Sequence, residues 1–203
     1  MSNLSIDIDN LKQKYREIFL KTSEEFNLQL EKIKPEELST FLNETAPKDV
    51  YQKWMKILEY RQNFKCIGCA TCCKLACSEF SYEELKQKAS NGDNFATQFT
   101  SIFMPYENEN QAKEIYPEYI ELLAEKLDGE KVYFYHCPKL TTDNRCSDYE
   151  NRPQICKDFP DNPLGMLPVS CGFSCWKEEV EPTALMLHSL LEIIGFYKNK
   201  MND

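Results

Sequence analysis

The segment Cys66-Ile67-Gly68-Cys69-Ala70-Thr71-Cys72-Cys73 places four thiols in eight residues, and nothing else in the chain constrains the fold as strongly. A two-residue gap between cysteines lets two thiolates reach one centre, as in many zinc and iron–sulfur sites. Thiolates select zinc, copper(I) or iron–sulfur clusters over magnesium or calcium. In an extended segment Cys72 and Cys73 point to opposite sides. The vicinal pair therefore either divides between two sites or flanks one cluster, and the remaining ligands must come from further along the chain. Gly68 can supply a positive φ where the chelate loop turns, leaving backbone N–H groups facing sulfur.

The later cysteines are Cys77, Cys137, Cys146, Cys156, Cys171 and Cys175, ten in all. The predicted metal ligands are Cys66, Cys69, Cys72, Cys73, Cys137, Cys146, Cys156, Cys171 and Cys175. Cys77 lies in an apolar-edged segment and reads equally well as a buried, inert thiol. A Cys-x2-Cys-x2-Cys run completed by a distant Cys-Pro is the arrangement of one cluster in bacterial ferredoxins. By that analogy Cys66, Cys69 and Cys72 group with Cys137. Cys73, Cys146, Cys156 and one of Cys171 and Cys175 are left for a second site.

The compartment decides how so many thiols are read. Residues Met1 to Asp9 have neither a basic n-region nor an apolar h-region, and no run of about 18 apolar residues exists. The expectation is a cytoplasmic protein that does not enter a membrane. In a reducing compartment the cysteines are metal ligands or redox thiols rather than disulfides. A formal charge of -9 argues against a nucleic-acid partner, which calls for a basic surface.

The fold class expected is mainly α, with a loop-rich, metal-organised cysteine region and little β. Residues 1–63 form an N-terminal helical scaffold, 64–178 the cysteine-cluster region, and 179–203 a C-terminal helix packing on the same single domain. Helical spacing recurs through Tyr15, Ile18, Phe19, Phe26 and Leu30, and again through Val50, Trp54, Ile57 and Leu58. Pro35 and Pro47 restart helices, and Ser81 with Glu84 forms a capping box. Phe95, Phe99 and Phe103 mark a helix stripe ending at Pro105. Pro117 opens a helix with Ile120, Leu123 and Leu127 inward, stopped at Asp128-Gly129. Residues 131–136 alternate as a strand that delivers Cys137. From Cys137 to Cys175 the chain is rich in Pro, Asn and Asp, a poor composition for helix or sheet. A metal can hold such a region together, because site formation and folding share free energy. Pro182 is expected to start the last helix.

Other features carry less chemistry. His136 in a strand would face away from Cys137, and His188 sits in a mostly apolar helix. The pairs Glu24-Glu25, Glu36-Glu37 and Glu178-Glu179 read as solvated or dipole-compensating charges. No glycine-rich phosphate or dinucleotide loop is present.

The ordered motifs Cys66 to Cys73, Cys137-Pro138-Lys139-Leu140, and Cys146 to Pro160 with Tyr149, Arg152, Pro153 and Cys156 resemble the YkgJ-like CxxCxxCC cysteine-cluster family. The resemblance covers about 66 to 175 and implies zinc or iron chelation. It carries the family's cysteines onto Cys66, Cys69, Cys72, Cys73, Cys137, Cys146 and Cys156, and a later one onto Cys171 or Cys175. Ala70 stands where the family usually has glycine, and Asp148 where an apolar residue is usual. Arg152 is suited to balance a thiolate-rich site. Flagellin lysine methylases resemble the family in this motif, where it is associated with an iron–sulfur cluster.

Three readings follow. The first is a metal-binding protein holding an iron–sulfur cluster, favoured from the ferredoxin-like run, or zinc. The second is a cluster-dependent enzyme such as a protein-lysine methyltransferase, which requires an open cluster edge beside a pocket. The third is a structural-zinc interaction module whose N-terminal helices meet a protein partner. Catalytic residues and oligomeric state have no signature in the chain.

Overall fold

The computed structural model describes residues 8–117, 119–121, 131–165, 167 and 170–202. Among these the fold is mainly α, as expected, and it divides into two compact units. The first draws on 1–65, 162–167 and 173–203, the second on 66–161 and 168–172. No helix among the described residues is long and apolar enough to cross a membrane.

The first unit contains α1 (Ile8–Leu30), α2 (Pro35–Thr40), a π-helical turn (Phe41–Thr45), α3 (Ala46–Tyr60), a 3-10 turn (Arg61–Asn63) and a long final helix. Pro35 occupies the first turn of α2, where its missing N–H would have had no intrahelical partner anyway. The π turn closes with the Ala46 N–H bonded to the Phe41 carbonyl. It directly precedes Pro47, which has no N–H to continue the regular ladder. The buried apolar residues of this unit include Phe26, Phe41, Leu42, Val50, Ile57, Val180, Ala184, Leu187, Ile194 and Trp176, which is 0% exposed. The indole N–H of Trp176 donates to the Ile57 carbonyl at 3.1 Å, so its one polar atom is satisfied. Phe26 stacks on Phe41 with ring centroids 5.9 Å apart.

The last helix differs from expectation. It runs Ser174–Asn202, with Pro182 inside it rather than at its start. An interior proline removes one ladder hydrogen bond and costs about 3 kcal/mol. Val180, Ala184 and Leu187, buried on either side of it, offset that cost. Polar pairs run beside the apolar seam with α1: the Tyr15 hydroxyl donates to Glu192 and the Tyr197 hydroxyl to Asn27, both at 2.6 Å.

Glu181, on the same helix, accepts from Lys14 of α1 at 3.3 Å and from Lys177 one turn earlier. Burial pushes its carboxyl up, but the hydrogen bonds and charges of Lys177 and Lys14 outweigh burial and hold it below the usual carboxylate value. A depressed carboxyl contributes stability above its unfolded value, and that contribution is lost as the pH falls through the folded one. We expect Glu181→Gln to cost about 1 kcal/mol at neutral pH, after discounting for solvent screening. Melting curves at pH 7 and pH 3 check this: the gap from wild type should be present at pH 7 and close at pH 3.

In the second unit, α4 (Thr71–Lys74) leads into β1 (Ala76–Ser78). Next come α5 (Tyr82–Ser90), α6 (Asn94–Ile102), β2 (Met104–Pro105), α7 (Glu109–Ile115), β3 (Tyr133–His136) and a short α8 (Gln154–Asp158). The final helix of the first unit is α9. The strands form an antiparallel sheet in the order β1-β3-β2, with Cys77 opposite Phe134 and Met104 opposite His136. The Ser81 capping box forms with both of its reciprocal hydrogen bonds. Helices α5 and α6 pack Leu85, Ala96, Phe99 and Ile102 against Tyr135, which is 0% exposed. Its hydroxyl donates to the Phe80 carbonyl at 2.6 Å. Of the aromatic stripe, Phe99 and Phe103 are buried, whereas Phe95 lies exposed at the margin. Ile120 is buried, but Leu123, Leu127 and the Asp128-Gly129 stop fall outside the described residues.

Candidate metal centre

The chelate loop is shaped by two left-handed residues. Gly68 has φ +74°, as expected, and Ala70 has φ +64° while only 4% exposed. Left-handed backbone costs an L-residue about 1–2 kcal/mol and glycine almost nothing. Glycine would hold the conformation of Ala70 at less cost. A Cβ at Gly68 would meet no atom within 4 Å. Gly68→Ala should therefore destabilise through backbone strain alone, by about 1 kcal/mol, and Gly68→Asn by less, because Asn tolerates this conformation. Thermal melts of the two variants check the order.

Cys72 and Cys73 sit in α4, not in an extended segment, and this corrects the premise that their side chains oppose each other. On a helix neighbouring side chains diverge by about 100° rather than 180°. Their sulfurs lie 4.0 Å apart. The hydrogen bond they share raises Cys72 and lowers Cys73 to about 7.

Cys69 acts on both members of the pair, and Cys66 on Cys72. Cys72, raised next by burial, also feels the charges of Cys69 and Cys66. Cys69 is held at about 5, first by a hydrogen bond from the Cys171 thiol, against burial, and then by the Thr71 N–H and hydroxyl and its own N–H. Backbone N–H groups thus face sulfur in the turn that Gly68 shapes. Cys66, Cys69, Cys72 and Cys171 form one neighbourhood.

The second neighbourhood is built on the core of the unit. Cys137 is buried in it, and Cys73 and Cys156 pack against it. The Cys137 N–H donates to the Cys73 carbonyl at 2.7 Å, joining the end of β3 to α4. Burial, then Cys73 and Cys146, push Cys137 up. Burial, then Cys73 and Cys137, carry Cys156 to about 11, with Arg152 opposing and Cys146 adding to the rise.

A tight hairpin returns Cys146 towards Cys137. Leu140 bridges Cys146, Ser147 N–H donates to the Lys139 carbonyl at 2.9 Å, and Asn144 turns the chain with φ +62°. Lys139 pairs with Asp148, which gives that carboxylate a partner. Cys156 sits on α8, whose Ile155 N–H is held by the Gln98 side chain of α6 at 3.1 Å.

Arg152 lies over the Tyr149 ring, 3.7 Å from its centroid, and its Nε donates to the Tyr149 carbonyl at 3.2 Å. The guanidinium helps hold Cys73 down, behind the Cys72 hydrogen bond.

The ferredoxin analogy expected Cys137 to group with Cys66, Cys69 and Cys72. Cys137 neighbours Cys73, Cys146 and Cys156, and Cys171 takes the place beside Cys69. Cys175 lies in the first turn of α9, in the first unit. Cys77 is exposed as a residue, but its thiol is raised by desolvation and accepts from the Tyr119 hydroxyl. Among the described residues no three Cys, His, Asp or Glu side chains already converge as an ion-holding group. The thiols are neighbours rather than a closed shell. As a donor set, neighbouring thiols suit zinc or iron.

A cleft of about 540 Å3 opens beside Cys73 and Cys137. His136 lines it together with Cys137, because β3 ends at His136 and strand alternation stops there. Tyr106, Glu107 and Gln111 also line it and had no signature in the sequence. The β2–β3 pairing carries them there from some thirty residues away.

Fold and site together define a mainly α-helical protein with a thiol-rich chelating region. A family model described as "Putative zinc- or iron-chelating domain" matches residues 65–172, and the chain belongs to this CxxCxxCC family. The match takes in Cys171 and stops before Cys175. No curated protein and no solved structure matches the chain.

Proposed function

We propose that this protein binds metal at two adjacent four-thiolate centres. Cys66, Cys69, Cys72 and Cys171 form one, and Cys73, Cys137, Cys146 and Cys156 the other. The observation that supports the reading is that Cys137 and Cys156 feel Cys73, whereas Cys66 acts on Cys72; Cys69 reaches both members of the pair. Zinc is the occupant this donor set favours. Four sulfurs satisfy a tetrahedral ion completely, which is the pattern of structural sites. The ferredoxin-like reason for preferring an iron–sulfur cluster depended on Cys137 completing the first run. When bound, the ions tie α4, the 137–147 hairpin and α8 together, adding to the hairpin, turn and side-chain hydrogen bonds of the region.

A second reading has its own support. The cleft touches Cys73 and Cys137, so a centre there would have one accessible face, as a reactive iron site requires. Anaerobic purification with zinc, iron and acid-labile sulfide analysis tests the choice. Colourless protein carrying zinc and no sulfide is expected, and brown protein with sulfide would replace the first reading by the second.

A further inference from the structure

The cleft beside Cys73 is built before any ligand arrives. Tyr106 forms one wall, its hydroxyl donating to the Lys74 carbonyl and its N–H to the Phe134 carbonyl at 3.3 Å. The Tyr106 ring rests on His136 with centroids 5.0 Å apart, and Pro105 and Leu140 add apolar surface. The Glu107 N–H donates to Gln111 Oε1 at 3.1 Å, which fixes that amide and leaves its NH2 end to face a ligand. Clefts of about 300–1,000 Å3 with apolar walls and a few placed polar groups are where small molecules bind.

Its charges identify the ligand class. Lys74 and Glu107 both line the cleft. Among the described residues neither side chain forms an ion pair, with the other or with any neighbour. One unpaired cation and one unpaired anion in a single cleft match a molecule that carries both signs.

We propose that this cleft binds a small zwitterion, an amino acid or short peptide, with its carboxylate on Lys74 and its ammonium on Glu107. The aromatic and proline walls would take its apolar part. The placement beside a metal centre rests on the function proposed above, whereas the charge recognition does not.

The test is titration calorimetry of the metal-loaded full chain with L-alanine, Ala-Ala and Ala-Ala-Ala, with metal content measured on the same samples. N-acetyl and C-terminal amide forms of each probe serve as single-charge controls. At least one zwitterion should bind, and either cap should weaken it about tenfold or more, the value of one lost charge-assisted hydrogen bond. Lys74→Gln should reproduce the effect of the amide cap and Glu107→Gln that of the acetyl cap. Because Lys74 adjoins Cys73, Glu107→Gln is the variant that tests the cleft away from the thiols. Absence of binding by every zwitterion, equal binding of capped forms, or unchanged binding in both variants overturns the proposal. Metal-loaded protein that binds no zwitterion sinks the cleft and leaves the metal centres standing. Zwitterion binding by protein without metal keeps the cleft and counts against the centres.

Discussion

Removing the metal with a strong chelator under reducing conditions should unfold the second unit. Structural zinc contributes apparent free energies of about 10–16 kcal/mol in small domains, as much as or more than the roughly 5–15 kcal/mol net stability of a typical protein. Residues 137–161 are organised by a short hairpin, one turn and a half of α8, the Cys137–Cys73 backbone bond and side-chain bonds such as Gln98 to Ile155. Those bonds contribute about 1 kcal/mol each and do not replace the ions. Limited proteolysis of the chelated protein should cut first within residues 137–161. The buried core around Trp176 contains no proposed ligand, so much of the helical circular dichroism should persist. Restoring zinc should restore protection. Unchanged proteolysis after verified metal loss would show that the apolar core of Leu85, Phe99 and Tyr135 holds the unit alone.

Serine replacement of the eight proposed ligands should sort them into two classes. Cys66→Ser, Cys69→Ser, Cys72→Ser and Cys171→Ser should each cost one metal, and Cys73→Ser, Cys137→Ser, Cys146→Ser and Cys156→Ser the other. Loss of a ligand should lower the affinity of its own centre by more than about 100-fold, since even residues behind the ligands cost about 10–100-fold. Within a class, double replacements should add little, because the first already empties the centre. Across classes, losses should add. Competition with a chromophoric chelator measures both affinities. A single class, in which any replacement releases all metal, would indicate one polynuclear cluster instead of two centres.

Much of the frame was legible in the chain. Helical periodicity located α1 and α3, the Ser81 and Glu84 spacing located the start of α5, and alternation located β3. Each rests on local chemistry within one or two turns. What escaped depends on how distant segments meet. The sulfur neighbours of Cys137 follow from a bond to the Cys73 carbonyl and a hairpin turned at Asn144, neither visible as spacing. The helical state of Cys72 and Cys73 is set by Ala70 in a left-handed conformation, an unfavourable choice that propensity does not anticipate. Pro182 reads as a helix start, yet the buried residues around it carry the helix through. The cleft combines α4, β2 and β3, and no single segment announces it.

The vicinal pair is the most exacting place to examine the two-centre account, because Cys72 and Cys73 are adjacent and their sulfurs lie 4.0 Å apart. Native mass spectrometry of the wild type, Cys72→Ser, Cys73→Ser and the double variant measures the metal bound per chain. The account predicts two ions in the wild type, one in each single variant and none in the double. Equal metal in the single and double variants, or a wild type holding one ion, would contradict it.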